Sequence, residues 1–180
     1  MKGVLFNVVE EAVSREWGED MWDDLLAAAD LDGAYTALGN YPDAQLVALA
    51  NAAADRLNSP VEDVLRTLGR ITFEPLFSRY AGFREEPASL REFLPTINEL
   101  IHPQVLKLYP GASVPRFVLR ETGGALELDY LSVRNMCTLA EGLVLGVADH
   151  YGEAVAVAVD QPSCKQRGDS RCIIRIVPAA

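Results

Sequence analysis

The sequence predicts an α+β fold, with a helical N-terminal part followed by helices packed on a four-stranded antiparallel sheet. Before about residue 110, apolar side chains recur at every third or fourth position; after it, they alternate with polar ones in several segments. The first spacing is that of an amphipathic helix, and the second is that of a half-buried strand. We therefore expect a single domain over residues 1–180, with a helical lobe at 1–60 and a lobe that contains the sheet at 61–180.

The first helices are predicted from apolar spacing. Phe6, Val9 and Val13 follow one another at helical intervals, and the same pattern restarts after Gly18. An alanine-rich stretch, Asp43–Leu57, predicts a further helix because alanine has the highest helix propensity. The apolar stripes of these helices are expected to form a core.

Serine and proline positions predict where the next helices begin and end. The run Ser59-Pro60-Val61-Glu62 has the form of a capping box with proline at the first helical position. A helix should begin there and end near Gly69. A separate helical segment is expected at 71–80, interrupted by Pro75, which has no backbone N–H.

Two hairpins and one long helix are predicted in the C-terminal part. The turn signal Thr122-Gly123-Gly124 separates two alternating segments, which should pair antiparallel. A later pair of alternating segments predicts the second hairpin, and an amphipathic helix lies between the two pairs. The expected segments are 113–121 and 125–132, then the helix at 135–150, then 153–159 and 172–177.

Composition excludes several classes of protein. The chain has 16 basic and 26 acidic residues, a net charge of −10, so it should repel a phosphate backbone, and we expect no nucleic-acid partner. The apolar run at the N-terminus reaches Glu10 and Glu11 too soon for a signal peptide or membrane span, so a cytoplasmic protein is expected. Three cysteines, all after residue 136, favour thiols or a metal site over a disulfide framework.

The stretch from Tyr130 to Arg134 carries the most specific chemistry. On an extended chain Tyr130, Ser132 and Arg134 point to one side, with their heads roughly 6 to 7 Å apart. A phenol, a hydroxyl and a guanidinium at this spacing suit a ligand with two carboxylates, such as haem. An ordinary half-exposed strand end is the alternative interpretation.

His102 is one of only two histidines. In a helix, Val105 and Leu106 would lie on the same face as His102, and a neutral imidazole in such surroundings can ligate a metal. A histidine that simply lies in a core is the alternative.

Taken together, these residues resemble the haem nitric oxide/oxygen-binding (H-NOX) family, which includes the haem domain of soluble guanylate cyclase. The opening Met1-Lys2-Gly3-Val4-Leu5-Phe6-Asn7 is similar to the start of the family, and Tyr130-x-Ser132-x-Arg134 matches its propionate-binding motif. His102 matches the proximal iron ligand, and Pro115 matches a proline that packs against the porphyrin.

The resemblance implies a buried haem b and a specific set of contacts. His102 would bind the iron, while Tyr130, Ser132 and Arg134 would bind the propionates. Other residues would pack against the haem: Leu5, Val9, Pro115, Met136 and Leu139.

The cysteines leave two interpretations open. Some family members have a zinc site with one cysteine three residues after the motif arginine and two more downstream, and Cys137, Cys164 and Cys172 fit that spacing. Gln161 replaces the histidine of that site, and structural zinc prefers four nitrogen or sulfur ligands. The alternative is that the thiols are redox-active or simply buried.

The expected function is a gas sensor and not an enzyme. Family members that hold O₂ have a tyrosine five residues after the motif arginine; Leu139 stands there and has no donor, so nitric oxide, along with carbon monoxide, is the expected ligand. The output should act in trans on a histidine kinase or an enzyme of cyclic di-GMP turnover. A cysteine hydrolase is disfavoured because Cys137 and His150 would lie roughly 20 Å apart on one helix. A haem-free module that binds a small ligand or a metal is the remaining alternative.

Overall fold

The computed structural model describes residues 1–79, 87–159 and 168–179. Its architecture is α+β, as predicted. The helices are α1 Gly3–Trp17, α2 Glu19–Ala28, α3 Asp43–Leu57, α4 Val61–Ser78, α5 Leu90–Thr96, α6 His102–Leu108 and α7 Cys137–His150, with a π-helical turn at Ile97–Ile101 between α5 and α6. The strands are β1 Arg116–Thr122, β2 Ala125–Leu131, β3 Val155–Val159 and β4 Cys172–Pro178.

The strands form an antiparallel sheet in the order β1-β2-β4-β3. Both predicted strand pairs are confirmed. Gly123 and Gly124, with φ of +60° and +83°, make the turn between β1 and β2, where positive φ matches the twist of the two strands. The first strand begins at Arg116 and not at residue 113; residues 113–115 line a cavity instead.

The helices of the N-terminal part follow the predicted pattern. Helix α3 has the predicted bounds, and α1 and α2 separate at Gly18, whose φ of +92° is accessible to glycine. Phe6, Val9 and Val13 are buried. Apolar spacing was therefore sufficient to place this part of the core.

Helix α4 corrects the prediction of two segments, because it continues through both Gly69 and Pro75. Pro75 has no N–H to give to the carbonyl of Ile71, four residues earlier. The side chain of Arg15, on α1, donates to that carbonyl at 3.0 Å. The hydrogen bond that proline removes is thus replaced from another helix, and the helix does not end.

The predicted capping box at Ser59 is also wrong. Helix α4 has Pro60 at its N-cap and no side-chain cap, while the Ser59 hydroxyl donates to a nearby carbonyl. A side-chain cap is found instead at α5, where the hydroxyl of the N-cap residue Ser89 accepts from the N–H of Glu92 at 3.2 Å. The Glu92 carboxylate accepts in turn from the N–H of Ala88, one residue before the N-cap, at 3.0 Å.

Two hydrophobic cores are present. One contains α1 to α3 with the first half of α4, and the other contains the sheet with α5, α7 and the second half of α4. Since α4 contributes to both cores, a boundary at residue 60 remains a prediction. In the described part of the chain, no helix is long and apolar enough to cross a membrane.

Helices α4 and α7 cross through glycine. A Cβ added to Gly142 would lie 2.0 Å from the carbonyl oxygen of Arg66, and one added to Gly69 would lie 2.2 Å from that of Leu139. These are backbone atoms, which cannot move aside as a side chain can. The two helices pack this closely only because the crossing positions have no side chain.

We predict that Gly142→Ala lowers the free energy of unfolding by about 1 to 3 kcal/mol, because the new methyl must push the helices apart. Urea denaturation measures the change. Thr67→Ala, on the exposed face of α4, is the control and should change stability by less than about 0.5 kcal/mol. If Gly142→Ala is as stable as the unaltered protein, helix propensity outweighs the clash and the crossing is looser than described.

Candidate functional site

A cavity of about 290 Å³ is lined by side chains from both cores. Its walls are predominantly apolar, and its polar side chains include His102, Tyr130, Ser132 and Arg134. All nine residues that the sequence analysis expected at a haem site line it: Leu5, Val9, His102, Pro115, Tyr130, Ser132, Arg134, Met136 and Leu139. These residues come from α1, α6, α7, β2 and the loops beside them, so the fold brings together positions more than 130 residues apart in sequence.

His102 is the first residue of α6 and follows the π-helical turn directly. Burial lowers the pKa of the imidazole to about 4, while the backbone of Pro115 has a smaller, opposite effect. Nδ1 is buried and makes no hydrogen bond of normal geometry in the described structure. The ring stacks on Phe117, with centroids 6.0 Å apart and planes 26° apart. At neutral pH, His102 is therefore an uncharged imidazole suited to bind a metal ion.

Tyr130 and Ser132 form a polar corner of the cavity. Tyr130 is buried on β2, and burial raises the pKa of its hydroxyl, while a hydrogen bond with Ser132 partly offsets this rise. The sequence predicted an extended chain from Tyr130 to Arg134, but the chain bends before Arg134. The strand ends at Leu131, and the Ser132 hydroxyl accepts from the N–H of Arg134 at 3.1 Å, which bends the chain.

Arg134 links distant parts of the chain. Its Nε donates to the Asp43 carboxylate at 2.7 Å, and its Nη1 donates to the Ser113 carbonyl at 2.8 Å. The same carboxylate forms an ion pair with the amino group of Met1 at 2.9 Å. Burial raises the pKa of Asp43, but the hydrogen bond from the amino group of Met1 and the charge of Arg134 together lower it by more. The pKa of Asp43 is therefore below its usual value.

Asp43 was not expected at the site. It begins α3, and nothing in the sequence connects it with a residue 91 positions away. Thr72 was missed too: it is buried in the cavity wall on α4, where its hydroxyl donates to the carbonyl of Gly69 at 3.1 Å.

Only two of the three cysteines lie among the described residues. Cys137 and Cys172 are buried, whereas Cys164 and Gln161 lie outside the described residues. Within the described ranges, no three histidine, cysteine, aspartate or glutamate side chains cluster closely enough to hold a metal ion. The zinc interpretation thus gains no support from the structure.

The sequence model of the haem-NO-binding family matches residues 2–159. The chain belongs to this family. The fold is similar to that of an H-NOX protein from S. oneidensis in the Fe(II)NO state, with 30% identity, a TM-score of 0.87 and 100% of each chain covered. An NMR structure of the H-NOX domain from Shewanella oneidensis in the Fe(II)CO state has 30% identity, a TM-score of 0.85 and 99% coverage of each chain. Unliganded Fe(II) H-NOX from K. algicida has 25% identity and a TM-score of 0.80, with 100% of this chain and 97% of that chain covered.

The family assignment confirms the resemblance seen in the sequence. H-NOX domains are haem-based gas sensors, that is, sensor domains and not catalysts. The roles of the individual cavity residues in this chain are a separate question.

We predict that Asp43→Asn lowers the free energy of unfolding at pH 7 by about 1 kcal/mol, a modest value because the Asp43 side chain is 38% exposed. The folded-state pKa of Asp43 lies below its unfolded value of about 3.9, so its stabilisation is present above that pH and is lost as pH falls through the folded pKa. Urea denaturation should give the same difference from the unaltered protein at pH 7 and pH 5, and a smaller difference at pH 3.5.

Asp55→Asn is the control, since Asp55 is exposed on the same helix α3. It should have little effect at any of these pH values. A difference between Asp43→Asn and the unaltered protein that persists unchanged at pH 3.5 would contradict the role of the Asp43 charge.

Proposed function

We propose that this chain binds haem through His102 and acts as a nitric oxide sensor. The observation that supports this most directly is the coincidence, in one apolar cavity, of a neutral imidazole and a polar corner with a guanidinium. Bound haem would supply a ferrous iron with an open coordination position for a diatomic gas. This donor set fits haem, which needs an axial ligand, apolar walls and partners for two propionates.

His102 is proposed as the axial ligand. Its low pKa means that protons do not compete with iron for the imidazole at neutral pH. The other histidine, His150, is paired with Glu74 at 3.0 Å and does not line the cavity.

Arg134, Tyr130 and Ser132 are proposed to hold the propionates. Arg134 donates from Nε to the Asp43 carboxylate and from Nη1 to the Ser113 carbonyl. A guanidinium has five N–H donors, so further donors remain for a carboxylate of the ligand. The contacts with Asp43 and Ser113 hold the guanidinium in place beforehand. Pro115 is proposed to press a rigid ring against the porphyrin from the cavity wall.

Four apolar side chains of the cavity lining are proposed to select nitric oxide over O₂. Leu5, Val9, Met136 and Leu139 have no hydrogen-bond donor in their side chains. Thr72 has a hydroxyl, but it is already donated to Gly69 within α4. Bound O₂ carries partial negative charge that a donor must stabilise, whereas nitric oxide and carbon monoxide do not need this help.

The regulated partner is proposed from the family resemblance alone. We propose a separate signalling protein, either a histidine kinase or an enzyme of cyclic di-GMP turnover. Co-purification and activity assays with each class of enzyme, with and without nitric oxide, would distinguish them.

We predict that His102→Gly loses haem, because the iron then has no protein ligand, and that added imidazole restores binding. The visible absorption spectrum of the purified protein measures haem content. His150→Ala is the matched control and should keep a normal spectrum, since its ring lies outside the cavity. Equal haem retention by the two variants without imidazole would show that His102 is not the ligand.

We predict that the ferrous protein gives no stable O₂ complex in air but binds nitric oxide. Leu139→Tyr should increase O₂ affinity by placing a hydroxyl beside Leu5, Val9 and Met136, and Leu139→Phe, which adds the ring without the hydroxyl, should not. Absorption spectra in air and under nitric oxide measure both effects. A stable O₂ complex of the unaltered protein would overturn the proposed selectivity.

A further inference from the structure

The side chain of Asn98 joins the segment that carries His102 to the edge of the sheet. Its Nδ2 donates to the carbonyl of Phe117 at 2.5 Å, and the N–H of Phe117 donates to its Oδ1 at 3.2 Å. Asn98 lies in the π-helical turn Ile97–Ile101, which ends immediately before His102. A primary amide offers a donor and an acceptor together, so it can pair with a backbone residue as a neighbouring strand would.

Phe117 lies on an edge strand, where such a partner is needed. Strand β1 pairs only with β2 in the described sheet, and Phe117 lies opposite Tyr130. In an antiparallel pair, a residue directs both its N–H and its C=O either toward its partner or away from it. Both groups of Phe117 are directed to Asn98, so the amide satisfies the open edge at this residue.

The helical segment that carries Asn98 departs from regular α-helical bonding. Pro95 and Pro103 lie on either side of the turn and have no N–H, so two carbonyls lack their usual helical donors. The N–H of His102 bonds to the carbonyl of Ile97, five residues earlier, and not to the residue four earlier. A side-chain bond to the sheet therefore contributes more to the position of this segment than it would in a regular helix.

Phe117 connects Asn98 with the cavity, because its backbone binds Asn98 and its ring contacts two cavity residues. Its ring stacks on that of His102, and its centroid also lies 5.8 Å from the centroid of the Tyr130 ring. Pro115, two residues earlier, lines the cavity. One amide thus fixes both the segment that carries the imidazole and the wall against which the imidazole packs.

We propose that Asn98 is a positioning residue that sets the direction in which His102 points into the cavity, by tying its segment to the backbone of Phe117. The role deepens the proposed haem site and rests on it. Loss of the amide should leave His102 present but change its orientation, and with it the geometry of its bond to iron.

The test compares Asn98→Ala and Asn98→Asp with the unaltered full chain as purified. Asn98→Asp is nearly the same shape, so it guards against misfolding, but it has no donor for the Phe117 carbonyl. Two measurements report on His102: the iron–histidine stretching band in the resonance Raman spectrum of the ferrous protein, and the NMR signals of the imidazole rings. A third, amide hydrogen exchange, reports on the Phe117 N–H.

We expect both variants to shift the iron–histidine band and the His102 ring signals while the His150 signals stay in place. In Asn98→Ala, exchange of the Phe117 amide should be about 2- to 13-fold faster, as expected when one hydrogen bond is lost. Thr96→Val is the matched control: it removes a hydroxyl that donates to Phe93 within the same segment and does not reach the sheet. It should leave all three measurements unchanged.

If the Phe117 amide exchanges at an unchanged rate in Asn98→Ala, the proposed hydrogen bonds between the Asn98 side chain and the Phe117 backbone are wrong. If exchange is faster but the His102 signals are unchanged, Asn98 binds the Phe117 backbone without orienting His102, and the positioning role is wrong. If the unaltered protein holds no haem, shown by the absence of its absorption bands, the proposed function fails; the ring signals and the amide exchange of the same samples still decide whether Asn98 orients His102.

Discussion

Helices α4 and α7 meet backbone to backbone at Gly69 and Gly142, and at Gly146 a Cβ would lie 2.4 Å from Phe73. Helix α4 supplies buried side chains to both hydrophobic cores, while α7 belongs to the core with the sheet and packs its partly buried Leu139 against the other. The spacing of α4 and α7 therefore affects the width of the cavity, which is lined from both cores. Ion pairs flank the crossing: Arg66 binds the buried Glu141 at 2.7 Å, and Arg70 binds Asp149 through two hydrogen bonds. Removing only one partner of a buried pair is costly, so the pair at Glu141 favours one register of the two helices.

The apolar character of the cavity produces two chemical properties at once. Burial disfavours the charged imidazole, which leaves His102 neutral and able to bind a metal ion without losing a proton. Burial also provides the dry walls that a flat, mainly apolar ligand requires. Tyr130, Ser132 and Arg134 form a polar corner where β2 ends and the chain bends away from the sheet. The division between apolar walls and a polar corner thus follows from where one strand stops.

Local patterns in the sequence predicted what depends on local physics. The bounds of α3, the break at Gly18 and the turn at Gly123 and Gly124 follow from helix propensity, apolar spacing and positive φ, all of which are properties of neighbouring residues. The error at α4 arose where a distant partner decided the outcome. Pro75 should end a helix by local rules, but Arg15 supplies the missing donor from α1, and no pattern around Pro75 reveals this.

The candidate site shows the same limit. His102 and the Tyr130, Ser132 and Arg134 motif were recognisable because their types and order are specific, but Asp43 and Asn98 were not, because a lone aspartate or asparagine carries no spacing signal. Yet these two residues hold the recognisable ones in place: Asp43 fixes the guanidinium, and Asn98 ties the segment of His102 to β1. A guanidinium restrained at Nε and Nη1 loses less side-chain entropy when it binds a carboxylate than a freely rotating one. The residues proposed to bind a ligand can therefore be found in the sequence, whereas the residues that hold them in place are found only in the folded chain.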